Sequence, residues 1–231
     1  MCGRMNVIDS PEIQYLLKVL GVELHPFHSK ADIAPGSVIQ IIHERDRNRL
    51  VSDAIWWLFL DPTTLKPNYK YSSFNSRSDK LNSRKAIAYK PYRESRCIIP
   101  VSAFVEGLGD KKTYHKISIE GSAIAFGGIY KEFINDDTGE SVYSASVITL
   151  PPPLPEWQDI HPKSMPLILP FENKDIIDKW LDSDFTDVVQ FTDLLEPKIQ
   201  GIQHLCKIAK ASKWHDEIEA PFVIKAIAQS S

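Results

Sequence analysis

Cysteine is scarce in this sequence: three in 231 residues, at positions 2, 97 and 206, with no C-x-x-C pair among them. An odd, sparse set argues against a disulfide framework and fits a reducing compartment. The fragment HLC at 204–206 offers too few ligands for a zinc site, so neither a metal nor a cofactor is expected. Long apolar runs are missing as well. The longest, AIWWLFL at 54–60, falls far short of the roughly twenty residues that span a bilayer, and no membrane association is expected. No basic stretch followed by an apolar core opens the chain, so a secretory signal is not expected and the cytoplasm is the expected location. Nor is there an excess of charge of either sign. The formal net charge of −3 gives the whole chain no signature of nucleic-acid binding, so any such site has to come from local patterning.

Glycine is also sparse, and no linker, repeat or low-complexity segment divides the chain. The length is ample to bury a core, and residues 1–231 are expected to form one domain and a monomer. SPEIQYLLKVL at 10–20 reads as a helix. Ser10 is placed to cap it, Pro11 sits in its first turn, and Ile13, Leu16, Leu17 and Leu20 recur at helical spacing. ENKDIIDKWLDS at 172–183 reads as a second helix, with Ile176, Ile177, Trp180 and Leu181 on one face. Strand-like runs occupy 38–43, 52–60, 97–106, 113–120, 123–130 and 142–150, and EGLGDKK and NDDTGES separate some of them like hairpin loops. The pattern predicts an α+β fold with a mainly antiparallel, barrel-like sheet and peripheral helices.

Two segments follow neither period. Residues 65–97 carry nine Lys or Arg against Asp79 and Glu94, with Tyr69, Tyr71, Phe74, Tyr89 and Tyr92 interleaved. Cations that follow a backbone, with aromatic faces for bases, suit a single-stranded nucleic acid. The same composition also suits a solvated basic face around a helix at SRKAIAYK. The other segment, PPPLPEWQDIHPKSMPLILP at 151–170, has seven prolines. Proline removes donors and fixes φ, which makes a stiff, irregular path. Such a loop can hold one polar side chain still, and His161 lies in its middle.

The opening MCGR would, on removal of Met1, leave an α-amine and a thiol on one residue. Such a 1,2-aminothiol condenses with an aldehyde to an imine, and its thiol then closes a five-membered thiazolidine. Taken alone, Cys2 reads more readily as an accident of the start codon.

MCGR at the start, APG at 34–36, FNSRSD at 74–79, CIIPVSAFVEG at 97–107 and IHPKSMPLILP at 160–170 together resemble the SRAP family, the SOS-response-associated peptidase-like proteins that crosslink to abasic sites in DNA. The resemblance spans most of the chain, in order. It implies that Cys2 is the nucleophile and that Asn75, Glu106 and His161 complete the catalytic set. It places Arg77 and Arg84 at DNA phosphates and Arg4 in the opening motif, which makes these three the expected DNA-binding residues. The sequence departs from the family pattern at four places. Gly107 follows Glu106 where a tryptophan is usual, and Asp32 stands where an asparagine precedes Ala-Pro-Gly. Trp57 replaces the glycine of a Trp-Gly pair, and the spacing after His161 is longer.

The chemistry of these residue types agrees with that implication. An α-amine near pKa 7.7–8.0 and a thiol near 8.5 are both close to usable at neutral pH. A glutamate raised toward neutrality by burial can shuttle the proton that dehydrates a carbinolamine. The histidine can give a proton to the ring oxygen as the sugar opens. The asparagine can orient the amine. The expected activity is therefore covalent sensing of abasic sites in single-stranded DNA, by imine or lyase-type chemistry in the DNA-damage response, with nucleoid association when bound. Only Met1 precedes Cys2, so the expected peptidase activity is self-processing and not general proteolysis. Two other readings fit the same residues: an N-terminal-nucleophile amide hydrolase, and a non-catalytic single-strand binder.

Overall fold

The computed structural model describes residues 3–225. In chain order its elements are β1 (Arg4–Val7), α1 (Pro11–Val19), β2 (Lys30–Ile33), β3 (Val38–Arg45), β4 (Asn48–Ile55), β5 (Asn75–Arg77), α2 (Tyr89–Glu94) and β6 (Arg96–Val101). There follow β7 (Ala103–Gly107), β8 (Tyr114–Ile119), β9 (Ile124–Ile134), β10 (Ser141–Leu150), β11 (Met165–Pro166), α3 (Lys174–Leu181), β12 (Ile202–Ile208) and β13 (Phe222–Lys225). Strands β10, β4, β3, β6 and β9 pair in that order, and β9 pairs back onto β10, which closes a five-stranded barrel. Closure removes the free edges that an open sheet would present. The second sheet has the order β13-β12-β8-β7-β1-β2 and is antiparallel throughout. Among the described residues, the only parallel pairings are those of β10 with β4 and β5. The α+β, mainly antiparallel, barrel-like architecture expected from the sequence is the one observed.

The two helices expected from their apolar spacing, α1 and α3, both form, and each is capped by a side chain. Ser10 Oγ accepts from the Ile13 amide at the start of α1, and Asn173 Oδ1 accepts from the Ile176 amide at the start of α3. Each cap satisfies an amide that the first helical turn leaves without a partner. The stripe of α1 is buried, and Trp180 of α3 reaches through the core to donate its indole N–H to the Cys97 carbonyl at 3.0 Å.

Three local expectations are corrected. The strand expected at 52–60 ends at Ile55, because Trp56 and Trp57 turn their rings inward and donate their indole N–H groups to the carbonyls of Phe74 and Asn68. The run at 97–106 is two strands in different sheets, broken at Ser102. There the chain steps from the barrel to the second sheet, with the Ser102 hydroxyl accepting from the Ile8 amide. The helix expected at SRKAIAYK begins later, at Tyr89. Pro91 lies in its first turn, where a missing N–H leaves no helical bond unmade.

Candidate active site

The step at Ser102 sets the two faces of β7. Directly opposed residues of antiparallel strands point to the same side. Phe104 opposes Met5 and Ile117, and all three are fully buried in the main core. Val105 opposes Arg4 and Lys116 on the reverse face, where it packs with Ala103, Ile208 and Trp214 in a separate small cluster. Glu106 therefore shares the inner face with Phe104, and it has no exposed surface. His115 lies opposite it on β8.

His161 comes to the same place from the proline-rich loop. The loop is anchored by Trp157, which is fully buried, stacks on Phe104 with ring centroids 6.4 Å apart, and accepts the His161 amide on its carbonyl. The His161 ring is almost fully enclosed, with Nδ1 3.9 Å from Glu106 Oε2. Nδ1 bonds to the Gly107 carbonyl. A carbonyl only accepts, so Nδ1 carries the hydrogen and Nε2 is the accepting atom of the neutral ring. Burial pushes the Glu106 carboxyl up to about 7. Burial also pulls His161 below its ordinary range, although the Gly107 carbonyl acts the other way. Both shifts favour the uncharged forms.

Gly107 departs from the family pattern by lacking a ring beside the acid. The edge of Tyr114 from β8 occupies that space: a Cβ on Gly107 would lie 3.2 Å from it. The ring is supplied from the neighbouring strand.

Asn75 opens β5, which runs parallel to β10 with Asn75 opposite Val147 and Arg77 opposite Thr149. Arg77, Asp79, Thr149, Leu150, Pro151, Lys163 and Ser164 line an open cleft of about 580 Å³. The end of the Asn75 strand, the end of β10 and the residues just after His161 thus form its walls. Arg77 is exposed and forms a bidentate pair with Asp79, at 2.9 and 2.8 Å. Lys163 was not singled out from the sequence. Its signal was a lone cation two residues after His161, with no other Lys, Arg, Asp or Glu in 160–170.

Seven of the nine cations in 65–97 are exposed, Arg84 among them. The other two are structural. Arg93 bonds to the carbonyls of Leu81 and Tyr89 and to Asn82. Arg96 is only 2% exposed and donates to the carbonyls of Tyr92, Arg93, Trp180, Asp182 and Phe185, joining the C-terminal ends of α2 and α3. Tyr92 is fully buried and Arg93 covers the Tyr89 ring, whereas Tyr69 and Tyr71 are largely exposed. Trp57 packs against both Tyr69 and Phe74 and so links the exposed ring to the residue before Asn75. Arg4 is on the reverse face from Glu106, paired with Asp32. Cys2 lies outside the described residues; it is two positions before Arg4 in the sequence. Among the described residues, no group of three or more His, Cys, Asp or Glu is arranged to hold a metal ion.

The fold is thus a closed barrel with an attached antiparallel sheet, and its candidate site joins a buried acid and a neutral imidazole near a cation-lined cleft. Similar folds occur in three crystal structures. A Bordetella bronchiseptica protein superposes with a TM-score of 0.64 at 21% identity, over 85% of this chain and 94% of that one. A Bacteroides thetaiotaomicron protein gives 0.65 at 19% identity, over 90% and 92%. A phage-related protein from Bordetella bronchiseptica gives 0.59 at 16% identity, over 84% and 87%. A search of curated proteins found no match. Residues 1–211 match the family described as SOS response associated peptidase (SRAP). The chain belongs to the SRAP family, and that membership supports a DNA-damage-associated function.

The Glu106 shift fixes the sign of a pH effect. A carboxyl raised from 4.5 to about 7 binds its proton more tightly in the folded state, so its contribution to stability is fully present below pH 4.5 and is lost as pH rises through 7. Glu106→Gln removes that loss. The variant should match wild type at pH 4 and exceed it at pH 8 by on the order of 3 kcal/mol, measured by urea unfolding. An equal gap at both pH values would contradict the shift.

Proposed function

We propose that the protein reacts covalently with abasic sites in single-stranded DNA through Cys2 once Met1 is removed. The observation that supports this most is the buried Glu106 carboxyl, raised to about 7 beside the neutral His161. Proton transfer at neutral pH calls for an acid of about that strength. The open sugar presents an aldehyde, and the Cys2 amine adds to its carbon to give a carbinolamine. Glu106 gives a proton to the departing hydroxyl, water leaves, and the imine forms. The thiolate then adds to the imine carbon and the nitrogen takes a proton, closing the thiazolidine. The sum is one water released per adduct. In this reading Glu106 gives a proton to the ring oxygen as the sugar opens, the accepting Nε2 of His161 takes the proton of the anomeric hydroxyl and returns it to Glu106, and Asn75 orients the amine. Positioning accounts for the remainder of the rate, because an ordinary aminothiol needs only to be held against its target.

Arg77 and Lys163 in the cleft, with Arg84 and the exposed lysines beyond it, are the proposed phosphate contacts. Tyr69 and Tyr71 are the proposed stacking faces. The Arg77–Asp79 pair is solvent-exposed and therefore weak, so a phosphate can replace the carboxylate at little expense.

Protein verified to begin at Cys2, incubated with an abasic single strand, should give a band shift that survives SDS and heat. Cys2→Ala keeps an amine but should yield only a transient imine and strand cleavage. Retained Met1 should block both outcomes. Turnover of small amides without an adduct would favour the hydrolase reading instead. Equal non-covalent binding of intact and abasic strands without an adduct would favour the plain binder.

Affinity for intact strands should separate from this chemistry. Arg77→Ala, Arg84→Ala and Lys163→Ala should each weaken binding and flatten the log–log salt slope by about 0.7. Asp79→Asn should strengthen it at low salt. Fluorescence anisotropy across a salt series measures both, and arginine variants identical to wild type would move the DNA path elsewhere.

A further inference from the structure

The family match ends at residue 211, and the chain beyond it turns back over the sheet that carries Glu106. Trp214 is buried on the reverse face of β7 against Ala103, Val105 and Ile208. Its indole N–H donates to Asp32 Oδ1 at 3.0 Å, and Asp32 Oδ2 accepts from the Arg4 guanidinium. Lys116 of β8 ties the same segment down, donating to the Trp214 carbonyl at 3.3 Å and to Glu217 at 2.7 Å. Backbone bonds from Ala209 to Asp216 and from Ile218 to Lys207 close the loop. On the other face Phe222 meets the His115 ring edge-on, at 6.0 Å between centroids. The segment therefore touches both faces of the strand pair that holds Glu106.

We infer that residues 209–225 are a strap that fixes the reaction strands, and that Trp214 and Asp32 are positioning residues which hold the start of β1 through Arg4. This deepens the crosslinking reading and rests on it. β1 is four residues long, pairing with β7 from Arg4 to Asn6 and with β2 at Met5 and Val7, so a side-chain anchor at Arg4 acts directly on the start of a short strand. Asp32 gives one carboxylate oxygen to each donor, which fixes both side chains in one arrangement. Burial pushes its carboxyl up, but the Arg4 and Trp214 hydrogen bonds outweigh that and hold it below its ordinary range, so it is ionised at neutral pH and neutralises Arg4. Arg4 is two residues from Cys2 in the sequence. A misplacement of about 1 Å at a reacting group lowers a rate by as much as a hundredfold.

Two variants test this. Trp214→Phe keeps the ring and removes the donor; Asp32→Asn keeps an acceptor for Trp214 and removes the charge facing Arg4. Both should crosslink abasic strands about tenfold more slowly at saturating DNA, with half-saturation unchanged. In both, the β1 amides should exchange hydrogen faster while those of β9 and β10 keep wild-type rates. Asp32→Asn should also move the acid limb of the pH–rate profile to lower pH, because an uncompensated guanidinium disfavours protonation of a nearby amine. Wild-type exchange in β1, or wild-type crosslinking rates in both variants, would overturn the proposal. Wild-type protein that forms no adduct would remove the crosslinking reading, and the exchange measurement would still decide whether the strap holds β1.

Discussion

Enclosure of the Glu106 carboxyl is the constraint on which the rest of this structure depends. In water a histidine near 6.5 holds a proton that a glutamate near 4.3 has already released. Inside the protein both groups are desolvated, and the order turns over: the carboxyl rises to about 7 and the imidazole falls below its usual range. At pH 7 the acid still holds its proton in part, while the base is already mostly without one. An ion pair at 3.9 Å is too long for a hydrogen bond between the charged partners, so it returns little of what two buried charges lose from hydration. The neutral pair wins, and the site keeps an acid at hand where solvent would have taken its proton away.

Keeping water from that carboxyl requires cover from several elements. The step at Ser102 turns β7 out of the barrel and directs Glu106 inward with Phe104. Trp157 stacks on Phe104 and brings the His161 loop over the acid. Tyr114 and Trp214 close the reverse face of the strand, against Val105. Each is a large ring from a different part of the chain. The cleft with Arg77 and Lys163 remains open.

How much of this was legible in the sequence depended on how local the signal was. The helix at Pro11–Val19 and the one at Lys174–Leu181 could be read because their apolar residues recur at helical spacing within a dozen residues, with Ser10 and Pro11 marking the start of the first. The β7–β8 and β9–β10 hairpins could be read from the glycine-containing turns between them. CIIPVSAFVE could not, since a continuous apolar run has no period to show where one sheet ends and another begins. A count of cations could not separate buried Arg96 from exposed Arg84, because composition carries no information on burial. Glu106 alone reads as a strand-end glutamate, and only the order of motifs around it marked it out. The bond between Asp32 and Trp214 joins residues 182 positions apart, and neither carries a local pattern that would reveal it.

The central claim is that folding raises the Glu106 carboxyl to about 7, so that it is still partly protonated at neutral pH. Carbon-13 NMR titration of the glutamate side-chain carboxyls, with Glu106→Gln used to assign the signal, measures this directly. One resonance should titrate near pH 7 and vanish in the variant. A Glu106 signal with its midpoint near 4.3, the ordinary value for a solvated glutamate, would contradict the account.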